Sequence, residues 1–120
     1  MALPRLEVGI DCLDPYRLAS FWSIALGYEI GDLDQAGVYL DLVPPDEHLP
    51  VVYFQRVPEP KTIKNRLHLD LYIEDPERLI DTLLGLGGHL IGSDQTGTEG
   101  GWWQVVVDPE GNEFCVCRET

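Results

Sequence analysis

Basic residues are scarce: eight lysines and arginines stand against 21 aspartates and glutamates, a formal net charge of −13. A surface of that sign repels phosphate backbones and anionic headgroups within a Debye length or so, which argues against nucleic acid or a membrane surface as a partner. The same field attracts a cationic ligand or a metal ion, besides keeping the chain dispersed. Long apolar runs are missing as well. Met1 to Arg5 carries no extended hydrophobic stretch, and no later segment approaches the roughly 20 apolar residues that span a bilayer, so neither export nor insertion is expected and the expected location is the cytoplasm. Cysteine is sparse and odd in number: Cys12, Cys115 and Cys117 lack the density of a secreted disulfide scaffold and suit free thiols in a reducing compartment. With 120 residues, 44% of them hydrophobic, the chain suffices for one compact domain and is too short for two conventional ones.

What is present is concentrated in Arg66-Leu67-His68-Leu69-Asp70-Leu71-Tyr72-Ile73. Strict alternation reads as a strand covered on one face, with Leu67, Leu69, Leu71 and Ile73 pointing one way and Arg66, His68, Asp70 and Tyr72 the other. A guanidinium, an imidazole, a carboxylate and a phenol then share one sheet surface, which is the candidate site.

The chain repeats itself. Shifting by 61 positions lays Leu6-Glu7-Val8-Gly9-Ile10 over Leu67-His68-Leu69-Asp70-Leu71, and Asp14-Pro15-Tyr16-Arg17-Leu18 over Asp75-Pro76-Glu77-Arg78-Leu79; Gly27 falls on Gly88. The identities among about 22 aligned positions exceed the roughly one or two expected by chance, which indicates an internal duplication. The halves divide into a module over 1–57, a proline-bearing linker over 58–65 and a module over 66–120, joined in a single domain.

In order, Leu6 to Cys12 reads as a strand with Glu7, Gly9 and Asp11 on its polar face. Asp14-Pro15 starts a helix, Asp as N-cap and Pro at the first helical position; Leu18, Phe21, Trp22, Ala25 and Leu26 form its buried stripe and Gly27 its stop. Strands follow over Tyr28–Leu33, Val38–Val43 and Val51–Val57. The second module repeats this βαβββ plan: strand 66–73, helix 75–86 with Leu79, Ile80, Leu83 and Leu86 inward, then strands near 89–93, 102–107 and 113–118. Gly85-Leu86-Gly87-Gly88 closes a helix, whereas a dinucleotide-binding loop opens one. Gln95 to Gly101 reads as a glycine-bearing loop, and Asp108-Pro109-Glu110-Gly111-Asn112 as a turn. His48 and His89 read as surface residues.

The duplicated βαβββ plan, the strand bearing His68, both Asp-Pro helix starts, Phe21-Trp22 before Leu26-Gly27 and the Asp108–Asn112 turn resemble the glyoxalase, bleomycin-resistance and dioxygenase (vicinal oxygen chelate) superfamily. Lys64-Asn65-Arg66 and Glu113-Phe114-Cys115 resemble its glyoxalase-like branch. The resemblance implies an α+β fold whose two modules form a curved, cup-shaped, mainly antiparallel sheet, with helices outside and the site inside. In many short members a second copy completes the cup, and a half-covered sheet of this size leaves apolar surface for a symmetric partner, so a homodimer is expected. Metal-dependent relatives draw ligands from the first and last strands of each module. Those places fall on Glu7, near Phe54, on His68 and near Cys115, where the usual residues would be His or Gln, Glu, His and Glu. Glu7, His68 and Cys115 could hold a divalent metal (zinc, nickel, manganese or iron), with zinc suiting a Glu–His–Cys set best; Phe54 could not. No cofactor is therefore expected as an obligatory part.

Two functions follow. One is a binding protein that sequesters a small cationic or oxygen-bearing compound, as bleomycin-resistance proteins do, using Glu7, Arg66, His68, Asp70, Tyr72 and Cys115 as polar groups, and Phe54 with Trp102 or Trp103 as an apolar wall. The other is a metal-dependent lyase, isomerase or dioxygenase in which Glu7 or Asp70 moves a proton as general base. The impaired ligand set and the acidic charge favour the first.

Overall fold

Each half of the chain opens with a strand that ends at an Asp-Pro pair, and both pairs start a helix in the same way. In the computed structural model, which describes residues 2–97 and 100–119, β1 (Glu7–Cys12) leads into α1 (Pro15–Leu26), and β5 (Asp70–Ile73) into α2 (Pro76–Gly85). Asp14 accepts from the Arg17 amide at 3.2 Å and Asp75 from the Arg78 amide at 3.2 Å. Each carboxylate thus satisfies an orphan donor of the first helical turn, and the following Pro has no N–H to satisfy. α1 ends at Gly27, whose φ of 72° lies in the left-handed region and whose amide donates to the Ser23 carbonyl at 2.9 Å.

Three strands follow each helix: β2 (Glu29–Leu33), β3 (Tyr39–Val43) and β4 (Val51–Arg56), then β6 (His89–Thr96), β7 (Trp102–Val107) and β8 (Glu113–Arg118). The chain divides between Pro60 and Lys61 into two compact units. One sheet has the order β1-β4-β3-β2 and the other β5-β8-β7-β6. In each, the lead strand pairs parallel with the last and the remaining pairs are antiparallel. The fold is therefore the expected α+β arrangement of two βαβββ modules, and the repeated strand order is the duplication in structural form.

Two boundaries differ from the sequence reading by more than one residue. The lead strand of the second unit begins at Asp70 rather than Arg66: Arg66 and Leu67 lie on a bend, and Leu67 is 89% exposed instead of facing the core. β6 runs on to Thr96, so the glycine-bearing loop is shorter than Gln95 to Gly101, and the Gly97 amide donates to the Gly101 carbonyl at 2.7 Å. Thr98 and Glu99 of that loop lie outside the described residues.

In the first unit α1 covers one sheet face. Leu18, Ala19, Phe21, Trp22 and Ala25 are buried with Leu40 and Leu42 of β3 and Val52 and Phe54 of β4. Phe21 and Trp22 meet edge to face, centroids 5.7 Å apart. Phe54 is fully buried in this core, which corrects the expectation that it lines the open face. The reason is register. β1 pairs Gly9 with Tyr53, and β5 pairs Asp70 with Cys115. Gly9 and Asp70 are 61 positions apart, but Tyr53 and Cys115 are 62 apart. One extra residue in the second module reverses the parity, so Tyr53, not Phe54, occupies the place of Cys115.

In the second unit α2 buries Ile80 and Leu83 with Val106, Phe114 and Val116. The chain ahead of β5 is held by Glu113, whose side chain is 13% exposed. Its carboxylate accepts from the Asn65 amide at 3.0 Å and lies 2.9 Å from Lys61 Nζ, while Asn65 Nδ2 donates to the Glu113 carbonyl at 3.2 Å. Burial alone would raise the Glu113 pKa; the Asn65 amide and the Lys61 ammonium outweigh it and bring the carboxyl to about 2 from an ordinary 4.5.

Phe54→Ala is expected to cost about 3–5 kcal/mol, as for other buried aromatic truncations, and Tyr53→Ala clearly less. Urea denaturation of both variants checks this; equal losses would contradict the register. Because folding depresses the Glu113 pKa, its stabilising contribution is complete above pH 4.5 and fades as pH falls toward about 2. Urea midpoints should therefore decline across that window in the wild type and less steeply in Glu113→Gln.

Candidate functional site

The open face of the second unit is built by the alternation of three neighbouring strands. The ladder places Asp70, Cys115 and Val105 in one row, and Tyr72, Cys117 and Trp103 in the next. These side chains point away from Phe114 and Val116, which are buried. With His68 just ahead of β5, the residues Asp70, Tyr72, Trp103, Cys115 and Cys117 line a concavity of about 370 Å³.

Its polar edge is a bonded pair: His68 Nδ1 lies 2.9 Å from Asp70 Oδ1, and the side chains are 47% and 41% exposed. The carboxylate holds one ring nitrogen, which orients the imidazole and leaves Nε2 as its other donor or acceptor. Burial, and then the Asp70 carboxylate, push the Cys115 thiol up to about 11. The same two causes raise Cys117, against a hydrogen bond with Tyr72 that lowers it. The Cys117 sulfur, then burial and Asp70, raise the Tyr72 phenol. Both thiols and the phenol are therefore neutral at physiological pH, so neither cysteine is an activated nucleophile. The face offers one carboxylate, one imidazole, neutral S–H and O–H groups and an indole wall.

The other residues singled out from sequence lie elsewhere. Arg66 is exposed on its bend and is not among the residues lining the concavity. Trp102 takes the opposite face from Trp103: its Nε1 donates to Asp94 Oδ2 at 2.7 Å, and the Arg118 guanidinium, which also bonds Glu77, lies 5.1 Å from its ring centroid. In the first unit, Glu7 carries an ion pair with Arg5 at 2.7 Å. There Gly9 stands in the place of Asp70, and the Tyr53 ring lies over it so closely that an added Cβ would sit 2.6 Å from the phenol. The sequence reading missed Cys117 as a lining residue; its signal was the two-residue spacing from Cys115, which puts both sulfurs on one face.

For a metal, the four places implied by the family resemblance do not all supply donors, since Phe54 is core and Tyr53 stands at that ladder position. A different set converges. One donor atom each from His68, Asp70 and Cys115 lies within 4.8 Å of the others. A nitrogen, an oxygen and a sulfur fit a zinc-like cation better than one that requires six oxygens.

The profile of the Glyoxalase-like domain family matches residues 7–117. No curated protein matches the sequence. A glyoxalase/bleomycin resistance protein/dioxygenase family enzyme from Burkholderia phytofirmans PsJN superposes with a TM-score of 0.75 at 18% identity, covering 95% of this chain and 97% of that one. The fosfomycin resistance protein FosX from Mesorhizobium loti gives 0.75 at 13% identity, covering 100% and 95%. A bleomycin-binding protein complexed with bleomycin gives 0.65 at 16%, covering 98% and 100%. At these identities the likeness carries the fold and leaves the chemistry to the site. With the family profile spanning both modules and the strand order repeated in each, the chain belongs to the glyoxalase-like domain family of the glyoxalase, bleomycin-resistance and dioxygenase superfamily.

Proposed function

We propose that this chain is a cytoplasmic small-molecule-binding protein that holds an organic cation or an oxygen-bearing compound in the concavity of its second unit. The observation that carries the reading is the lining itself: Asp70, His68 and Tyr72 converge on a space walled by Trp103 and floored by two neutral thiols. Apolar walls with a few convergent polar groups are the usual composition of small-molecule sites. Asp70 is the group that pairs a cation, Trp103 offers a face for cation–π contact, and the net charge of −13 draws such a ligand in. Structural relatives include a bleomycin-binding protein and a fosfomycin resistance protein, which agrees with this class of ligand.

A second reading has one observation in its favour. The convergence of His68, Asp70 and Cys115 suits a divalent metal, with which the chain would act as a lyase, isomerase or dioxygenase and Asp70 or Glu7 would move the proton. We further propose that the two units form one domain and that two copies associate. Support for the pairing comes from Ile63 and Leu67, which are 73% and 89% exposed in the segment ahead of β5.

Titration with metal-free bleomycin and a panel of small aromatic amines, followed by tryptophan fluorescence with chelator present throughout, tests the binding reading. At least one compound should bind, Asp70→Asn and Trp103→Ala should each weaken it about tenfold or more, and Trp102→Phe should not. Binding that ignores Asp70 and Trp103 would sink the assignment, and activity abolished by chelator would favour the enzyme. Sedimentation should give the mass of two chains, shifting toward one in Leu67→Asp; a wild-type monomer would refute the pairing.

A further inference from the structure

We propose that Lys64 takes the anionic group of a bipolar ligand whose cationic group pairs with Asp70. The site then prefers a small zwitterion, an ammonium compound that also carries a carboxylate or phosphonate, over a bare amine. This rests on the binding reading above and narrows its ligand by naming a specificity-determining residue. The stretch from Lys61 to Leu69 holds three of the eight basic residues and no acidic one, in a chain whose formal charge is −13. It leads into β5 and carries His68, which lines the concavity, so the sign of charge in this stretch is opposite to that of the chain as a whole.

The geometry places Lys64. Lys61 is committed to the fold, its Nζ 2.9 Å from a Glu113 carboxylate oxygen. Asn65 is bound to the same residue twice, its amide donating to Oε1 at 3.0 Å and its Nδ2 to the Glu113 carbonyl at 3.2 Å. Both ends of the span from Lys61 to Asn65 are thereby clamped on one residue of β8, and Lys64 is held next to the second clamp. Glu113 and Cys115 share a face of β8 two residues apart, a rise of about 6.6–6.8 Å. The four-carbon stem of a lysine covers roughly that distance, so the Lys64 ammonium reaches the part of the concavity that Cys115 lines. Electrostatics agree: burial, the Asp70 carboxylate and Cys117 raise the Cys115 thiol, and the Lys64 ammonium acts on it in the opposite sense. Lys64 is exposed and forms no ion pair among the described residues. Lys64 and Asp70 thus present unlike charges to one sulfur without pairing with each other. That dipolar pattern matches an ammonium and an oxyanion on one ligand, with Trp103 as the apolar wall for its carbon skeleton. A bare amine meets the Lys64 charge as repulsion, so the same residue attracts the zwitterion and disfavours its competitor.

Isothermal titration of the full chain, with chelator present, compares two matched pairs: phenethylamine with phenylalanine, and benzylamine with 4-(aminomethyl)benzoate. In at least one pair the carboxylate should tighten binding about fivefold, the scale of one solvated ion pair. Lys64→Met should erase that gain, while the bare amine binds no more weakly than to the wild type because a repelling charge has gone. A merely structural role for Lys64 would weaken both compounds. Lys64→Arg should retain the gain, and Asp70→Asn should weaken both members of the pair. Amines that bind with no gain from the carboxylate, or a gain that survives Lys64→Met, would overturn the proposal and leave the binding reading standing. Binding of none of these compounds would overturn it as well, whereas the wider reading is decided by bleomycin and the amine panel.

Discussion

The two-residue alternation of β8, bonded on one side to β5 and on the other to β7, is the constraint on which the second unit depends. Phe114 and Val116 are buried, while Glu113, Cys115 and Cys117 take the other face. Every neighbour is assigned a side through that ladder: Asp70 beside Cys115, and Tyr72 and Trp103 on either side of Cys117. A slip of one residue would place the carboxylate and thiols in the core and the valines and phenylalanine in water, so burial of the apolar face enforces the geometry of the polar one. The Glu113 anchor then sets where the chain enters β5, and with it where His68 stands.

The electrostatics of the open face follow from the Asp70 carboxylate. The Lys61 ammonium is committed to Glu113, so it stabilises the fold without offsetting the site. Asp70 is bonded to His68, and burial first and the Asp70 carboxylate second raise both thiols. The result is a face with one carboxylate held against an imidazole and two protonated thiols, an environment that does not activate cysteine as a nucleophile.

The two modules show how duplication preserves a scaffold while the face chemistry diverges. Strand order, Asp-Pro starts and parallel lead pairs are common to both. On the open face, however, Gly9 and Tyr53 replace Asp70 and Cys115, and the Tyr53 ring fills the space above the glycine, 6.3 Å from Tyr39 by ring centroids. The positions that pack under the helices tolerate only apolar volume, whereas those facing outward are free to exchange a carboxylate for a glycine.

Much of the fold was legible in the sequence because its determinants are local. The Asp-Pro caps, the Leu18–Ala25 and Ile80–Leu83 stripes, Gly27 as a stop and the alternation in the lead strands each depend on residues a few positions apart, and the α+β plan follows from them. Parity within a strand was legible too, which is why Asp70 and Tyr72 could be placed together from the start. What crossed a loop was not. A single extra residue within the second module moved the equivalence from Phe54 to Tyr53, and nothing local distinguishes Trp102 from Trp103 as the one facing the concavity. Leu67 fits the alternation of a strand yet lies outside it, because pairing with β8 begins only at Asp70. The sequence by itself thus determined the elements and the sidedness within each; the hydrogen-bond ladder between strands decided which sides meet, since register is a property of pairs of segments and no one segment encodes it.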